Sequence, residues 1–348
     1  MAGPGGGAGA RGARRRTVAS RALLAAIAVV LLAAVGLAVF VLSGPRGGPS
    51  GSPSNGGPSP SGTPSASLAD LPPGPLNILV MGSDIRGNAR DAVASQESGG
   101  GVADQRADMI MLLHVQADHR RVFGISIMRD SWVTIPGHGP SKINASLSWG
   151  GPPLVAETVS SLLSVRIDHY AMLDFEGFKA ITDALGGVDV DVPVPFTATF
   201  DTHHTFSPGI NHLDGQAALE FVRERYAFPD GDYQRVRDQQ AFIRGLIAQL
   251  VTTGRVGSPA EAAAAVGLAS PYVTADPGLD AAGLAALGYG LRGLDPASST
   301  FFTLPTAGTG LSDDGQSIVV PDYPGIAAVA EALGSDTLAQ YTVTHGLS

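Results

Sequence analysis

The chain opens on one long apolar stretch and then breaks into short apolar runs separated by polar segments. From Ala22 to Leu42 no charged residue occurs. As a helix rising about 1.5 Å per residue this stretch spans about 31 Å, close to the hydrocarbon thickness of a bilayer. Residues 22–43 are therefore expected to form one transmembrane helix. Three continuous apolar runs follow, Leu76 to Met81, Met109 to Val115 and Val122 to Met128. Runs of this length bounded by polar residues read as strands buried on both faces. Pro152 to Leu163 is expected to be helical, His169 to Leu173 a strand, Phe175 to Leu185 a helix stopped by Gly186-Gly187, and Val188 to Val192 an alternating strand. A loop from Pro193 to His212 leads to a short helix starting at Asp214, and Tyr233 to Leu250 is a long helix with Val236, Ile243, Ile247 and Leu250 on one stripe. Further on, Ala-rich helices are expected around Ala260 and Ala281, strands at Thr300 to Leu304 and Ser317 to Val320, and a helix near Ala327 to Leu333. Strands alternating with helices predict a layered α/β domain.

Charge orients this pattern. Arg11, Arg14, Arg15, Arg16 and Arg21 all precede the apolar stretch, so the positive-inside rule places residues 1–21 in the cytoplasm and exports the rest. A cleaved signal peptide is the competing reading, but its apolar region is shorter and no clear A-x-A site follows Phe40. Residues 44–74 are rich in Gly, Pro and Ser and form a tether, leaving 75–340 as one extracytoplasmic domain. The other 17 basic residues face 31 acidic ones, a balance of about −14 after the apolar stretch, which argues against nucleic acid as a partner. Any anion site in the domain has to be local. With no cysteine there is neither disulfide nor thiol nucleophile.

The charged residues at strand ends carry the candidate chemistry: Asp84, Arg86, Arg106, Asp108, Arg129, Lys142, Arg223, Arg225, Arg235 and Gln239. Arg223 and Arg225 are two apart and would diverge on a helix but share a side on a strand, so Phe221 to Arg225 is expected to be a strand. Arg235 and Gln239, four apart, share a helix face with Phe242 below them. Arginine's planar fork suits bidentate phosphate contacts, and several together imply a multiply charged ligand such as a diphosphate. Asp84 and Asp108 at neighbouring strand ends could hold Mg²⁺, which uses one or two carboxylates plus phosphate oxygens. Each residue also has a plainer reading. Asp84 could be a turn or cap residue, Arg223-Glu224-Arg225 a solvated edge, Arg235 with Asp238 a surface pair, and His203-His204 part of a flexible loop rather than a metal site.

Taken in order, LNILVMGSDIRG (76–87), RADMIMLLHV (106–115), SIMRDSWVTIPG (126–137), SKINAS (141–146), DHYAMLDFEGFKAITDALGGVDVDVP (168–193) and LDGQAALEFVRERYAFPDGDYQRVRDQQAFI (213–243) resemble the LytR-CpsA-Psr (LCP) family of cell-wall glycopolymer ligases. Met128 and Ser131 depart from the residues common there and leave the charged set intact. The resemblance implies a three-layer α/β/α domain with a central mixed sheet behind one transmembrane helix, an apolar tunnel for a polyprenyl tail, and arginines around its pyrophosphate. By motif, Asp84 and Asp108 resemble the Mg²⁺ carboxylates. Arg129, Arg223, Arg225, Arg235 and Gln239 resemble the pyrophosphate-binding residues, joined by Arg106 and Lys142.

The expected reaction is glycopolymer–peptidoglycan phosphotransfer. A peptidoglycan hydroxyl attacks the glycan-side phosphorus of a polyprenyl-pyrophosphate-linked glycan, polyprenyl phosphate leaves, and Arg129, Arg223 and Arg225 stabilise the charge that moves to it. Asp84 and Asp232 are the candidate proton acceptors. A polyprenyl-pyrophosphate hydrolase and a non-catalytic lipid-glycan binding protein are the rival readings.

Overall fold

The computed structural model describes residues 73–83, 106–252, 272–279, 283, 287 and 299–347. The expected transmembrane helix, the tether up to residue 72, Asp84, Arg86, the 87–105 loop, the segment around Ala260 and most of that around Ala281 lie outside these residues. Among the described residues no helix is long and apolar enough to cross a membrane.

Strands β1 (Leu76–Ser83), β2 (Ala107–Val115), β3 (Val122–Ser126), β6 (His169–Asp174), β11 (Val273–Ala275) and β12 (Thr300–Thr303) form a six-stranded sheet in the order β11-β6-β1-β2-β3-β12. β1 runs parallel to β6 and antiparallel to β2, and β3 runs antiparallel to β2 and parallel to β12, so the sheet is mixed. Both faces are covered, which is why the central strands read as unbroken apolar runs. Ile78, Val80, Met111 and Leu113 point into one core, and Leu79, Met81, Ile110 and Leu112 into the other.

The first core is closed by α2 (Phe175–Ala184), α3 (Gly215–Arg223), α4 (Asp232–Thr252) and the ribbon of β7 (Val188–Val192) with β10 (Gly209–Leu213). The second is closed by α1 (Ala145–Leu163), α5 (Tyr323–Gly334) and α6 (Leu338–Thr344). Helices on both faces of a mixed sheet are the architecture expected. Local chemistry sets the helix ends: Asp174, Asp214 and Asp322 accept hydrogen bonds from Gly177, Ala217 and Gly325 at the starts of α2, α3 and α5. After α2 the chain turns through Gly186 and Gly187 at φ of +80° and +89°. A side chain at Gly187 would strike His212 Nε2 at 2.4 Å.

Several elements differ from expectation. α1 begins seven residues early, at Ala145, then breaks at Gly150 and Gly151 before resuming at Pro152. The hairpin of β4 (Trp132–Ile135) and β5 (Gly139–Lys142), strand β13 (Thr306–Leu311) beside β14 (Ser317–Pro321), and α6 were not expected. Within the supposed loop at 193–212, β8 (Phe196–Thr197) pairs with β9 (Thr205–Phe206), stacking Phe196 on Phe206. His203 and His204 are ordered there by backbone contacts, His203 Nδ1 with the Ala198 carbonyl and the His204 N–H on Glu220.

The expected strand over Phe221 to Arg225 is not formed. Ala217, Ala218 and Phe221 recur at helical spacing against the core, so α3 continues to Arg223 and stops at Glu224, whose backbone is extended (φ −62°, ψ 136°). One extended residue replaces the strand in separating the two arginines.

Candidate functional site

The site lies where β1, β3, β6 and β12 end and β2 begins, the edge of an α/β sheet at which ligands are usually bound. Asp108 is the second residue of β2, and Arg129 stands three residues beyond the end of β3. Their side chains meet in an ion pair, Nη1 to Oδ1. Arg129 Nε also reaches Asp130 Oδ2 at 3.3 Å, and Lys142 Nζ lies 3.2 Å from Asp130 Oδ1. Helix α4 is pinned over this edge by Gln240, whose amide donates to the Ser126 hydroxyl at 3.0 Å, and by Tyr233, bonded to the Thr306 hydroxyl at 2.9 Å. Its first turns deliver Asp232, which lies 2.9 Å from Arg235 Nη2 and 3.5 Å from Arg225 Nη1.

Positive charge is crowded here. Burial would lower the Arg129 pKa, but the charges of Asp108 and Asp130 outweigh it and the pKa rises. Arg235 is only 4% exposed. Burial pulls its pKa down, Asp232 partly offsets this, and Arg129 and Arg225 add repulsion. An arginine stays charged throughout, so the repulsion means that three guanidinium groups sense one another. Arg235 Nε is buried without a hydrogen-bond partner among the described residues, a donor that an incoming anion could satisfy.

Two cavities meet at this edge. One is apolar, with ≈ 830 Å³ of empty space partly open to solvent; Phe178, Val222, Phe242 and Leu246 help line it, and Asp108, Arg223 and Gln239 are among its few polar residues. The other, ≈ 1160 Å³ and likewise open, is polar, with Arg106, Arg129, Lys142, Arg225 and Asp232 in its wall and the β13–β14 hairpin across from them. The Asp108–Arg129 ion pair spans the boundary between them. Arg223 is held between the rings of Phe175 and Phe200, 4.3 and 4.8 Å from their centroids. Gln239 donates to the Val222 carbonyl at 3.2 Å.

Of the residues singled out from sequence, Arg129, Lys142, Arg225, Arg235, Asp108 and Asp232 thus form one cluster with Arg106 on its wall, while Arg223 and Gln239 face the neighbouring apolar cavity. Asp84 lies outside the described residues. Asp108 supplies one hard carboxylate and no group of three or more potential metal ligands converges among the described residues. A single carboxylate at the edge of a cationic cluster fits the sparse protein ligation Mg²⁺ uses. Arg235 and Asp238 are both buried, which removes the surface-pair reading. Burial pushes the Asp238 carboxyl up to about 7 despite a hydrogen bond from Gln234.

Glu220 and Asp130 were not among the candidate residues, and Glu224 was expected only as part of a solvated edge. Glu220 and Glu224 stand one helical turn apart and are fully buried. Burial would raise both pKa values, yet hydrogen bonds hold both below the usual range. Glu220 accepts from Gln216, from the Thr202 hydroxyl and from the Thr202 and His204 N–H groups. Glu224 accepts from the N–H groups of Thr199, Arg225, Tyr226 and Ala227 and from the Thr199 hydroxyl. The one available signal was a pair of glutamates four residues apart, Glu220 in a largely apolar stretch of α3 and Glu224 at its end.

A family model described as the LytR_cpsA_psr family matches residues 58–334. The Corynebacterium glutamicum cell wall biosynthesis protein LcpA is 28% identical over 351 residues, 90% of this chain and 65% of LcpA. The Bacillus anthracis polyisoprenyl-teichoic acid–peptidoglycan teichoic acid transferase TagU is 37% identical over 174 residues, covering 50% of this chain and 52% of TagU. The chain therefore spans less than two thirds of either relative. The crystal structure of B. subtilis TagV superposes with a TM-score of 0.61 at 26% identity, covering 77% of this chain and 98% of TagV. A match over most of the length, together with a shared mixed-sheet fold, places the chain in the LytR_cpsA_psr family.

Proposed function

We propose that this chain transfers a phosphate-linked glycopolymer from a polyprenyl-pyrophosphate carrier to a peptidoglycan hydroxyl. The observation that carries this reading is the Asp108–Arg129 pair standing between an apolar cavity and a cationic one. Such a threshold suits an amphiphile whose diphosphate lies between a hydrocarbon tail and a sugar. TagU, a relative over half of the chain, is named for a transfer of this class.

In this reading the prenyl tail lies among Phe178, Phe242 and Leu246, with Arg223 and Gln239 at its head. Arg129, Arg225 and Arg235 bind the diphosphate, with Lys142 and Arg106 alongside. The acceptor oxygen attacks the glycan-side phosphorus, and the bond from that phosphorus to the bridging oxygen breaks. Polyprenyl monophosphate leaves, and the hydroxyl proton passes to Asp84 or Asp232. Charge grows on the leaving phosphate, where preset guanidinium donors are worth most because they need no reorganisation. Asp84 and Asp108 would hold Mg²⁺, which when bound neutralises phosphate charge. Residues 22–43 anchor the chain with residues 1–21 in the cytoplasm, and 44–74 tether the 75–340 domain outside the membrane.

The test is product analysis with the full chain in detergent, labelled lipid-linked glycan, peptidoglycan and Mg²⁺. Label on peptidoglycan and an equal amount of polyprenyl monophosphate are expected. Glycan phosphate released to water without peptidoglycan labelling would replace transfer by hydrolysis, and binding without turnover would leave a carrier-binding protein.

A further inference from the structure

Beside Arg225, which lines the polar cavity, stands an aromatic residue that the assigned chemistry does not use. Tyr226 follows Arg225 directly, and its side chain is 70% exposed. The Arg225 guanidinium lies 4.5 Å from the centroid of its ring and also donates to its hydroxyl. The backbone is fixed as well: the Tyr226 N–H donates to the buried Glu224 carboxylate at 2.7 Å, between the equivalent bonds from Arg225 and Ala227. An exposed ring held on both its backbone and its hydroxyl cannot be explained by burial, since little of it leaves water on folding. A rigid, half-polar ring of this kind is a typical contact for an amphipathic ligand.

We propose that Tyr226 is a stacking platform for the pyranose ring next to the transferred phosphate. The inference rests on the transferase reading and adds a sugar subsite to it. The guanidinium covers one side of the phenol ring, so the open side can receive the C–H face of a sugar. A phosphate bonded to Arg225 at about 2.8 Å carries its sugar one ester bridge further on, beside the ring that Arg225 itself touches. The hydroxyl bond to Arg225 orients the ring, and the ring supplies the contact area. Both the first sugar of the donor and the sugar of the acceptor have this chemistry.

The experiment compares Tyr226→Leu and Tyr226→Phe in the full chain. Affinity is measured for a polyprenyl-pyrophosphate-linked disaccharide and for bare polyprenyl pyrophosphate, and KM for the peptidoglycan acceptor is measured alongside. A lost aromatic stack corresponds to about a tenfold weakening. Tyr226→Leu is expected to lose about that much affinity for the glycosylated lipid and to keep the bare lipid within about twofold, while Tyr226→Phe keeps both within about threefold. If the loss appears instead in the acceptor KM, with donor affinities kept, the platform stands and its sugar is the acceptor's. Equal loss for both lipids would mean that Tyr226 only positions Arg225, and a Phe variant as weak as the Leu variant would mean the same; either overturns the platform. So do a Leu variant unchanged in all three measurements and a wild type that shows no preference for the glycosylated lipid and whose acceptor KM the Leu substitution leaves unchanged. A wild type that binds neither lipid would remove the transferase reading itself, and the platform with it, which is a different result from the loss of preference alone.

Discussion

The two ends of the central sheet both carry buried ionisable groups, and they handle them in opposite ways. At the end away from the site, His114 is enclosed with both ring nitrogens engaged, Nδ1 with Asn77 Oδ1 at 2.8 Å and Nε2 with Asp336 Oδ1 at 3.1 Å. Asn77 in turn donates its N–H to Asp168, and Asp336 accepts from the Ala117 N–H. At the other end, Ser83 Oγ, Arg235 Nε and Asp238 Oδ2 are buried without hydrogen-bond partners among the described residues. Of the other such atoms, Thr274 Oγ1 sits on edge strand β11. A closed polar network serves the fold, whereas buried polar atoms left without partners cost stability unless a ligand completes them. The contrast separates the part of the molecule built to stay folded from the part built to bind.

Substitutions at the two ends should therefore have opposite signatures. The largest effect is expected for Arg225→Ala, which removes a phosphate contact from a half-exposed position: the initial rate of transfer should fall about 100- to 1000-fold. Its melting temperature should stay within about 3 °C of wild type. A variant with full activity would detach Arg225 from the chemistry. Next, His114→Ala should lower unfolding free energy in urea by about 2 to 3 kcal/mol, because Asn77 and Asp336 each lose a partner and a void is left. Transfer per folded molecule should be unchanged; a loss of activity at constant stability would erase the division between the ends.

The smallest effect concerns pH. The folded-state pKa of the Asp238 carboxyl is raised by burial from 3.8 to about 7. The folded state therefore holds this proton more tightly than the unfolded one, and stability is lost as pH rises from about 4 through 7. Asp238→Asn should raise the melting temperature most above pH 7, by an amount equivalent to about 1 to 2 kcal/mol, with the gain shrinking toward pH 4. His114 acts with the reverse sign. Burial, only partly offset by Asp336, lowers its pKa from 6.5. The unfolded state takes up this proton first, so stability present above 6.5 declines as pH falls below it. Thermal melts of the Asp238→Asn and His114→Ala proteins from pH 4 to 8 separate the two contributions, and flat differences from wild type would show that neither group titrates on unfolding.

Much of this arrangement could be read from the sequence wherever one strong physical signal dominated. The unbroken apolar runs of β1, β2 and β3 required strands covered on both faces, and Asp214 marked the start of α3. The arginines stood out because a permanently charged side chain beside a buried strand needs a reason. Reading failed where signals were short or shared. The β4–β5 hairpin has four residues per strand around a Pro-Gly turn, and β13 carries Gly308 and Gly310 within its six residues, so neither shows a sustained period. The strand expected at Phe221 to Arg225 came from asking the two arginines to share a side. The chain meets that need differently, by ending a helix between them. Glu220 was overlooked and Glu224 read as a solvated edge because a glutamate ordinarily faces water, and only the tertiary fold supplies the donors that bury them.

The way α3 ends also bears on affinity. Glu224 takes the N–H groups of the three residues that follow it and two bonds from Thr199, so the segment bearing Arg225 is already fixed before any anion arrives. A ligand that docks there need not freeze a wandering loop, and more of its contact energy survives as binding. An internal anion, inaccessible to substrate, thereby makes the neighbouring cation a better receptor.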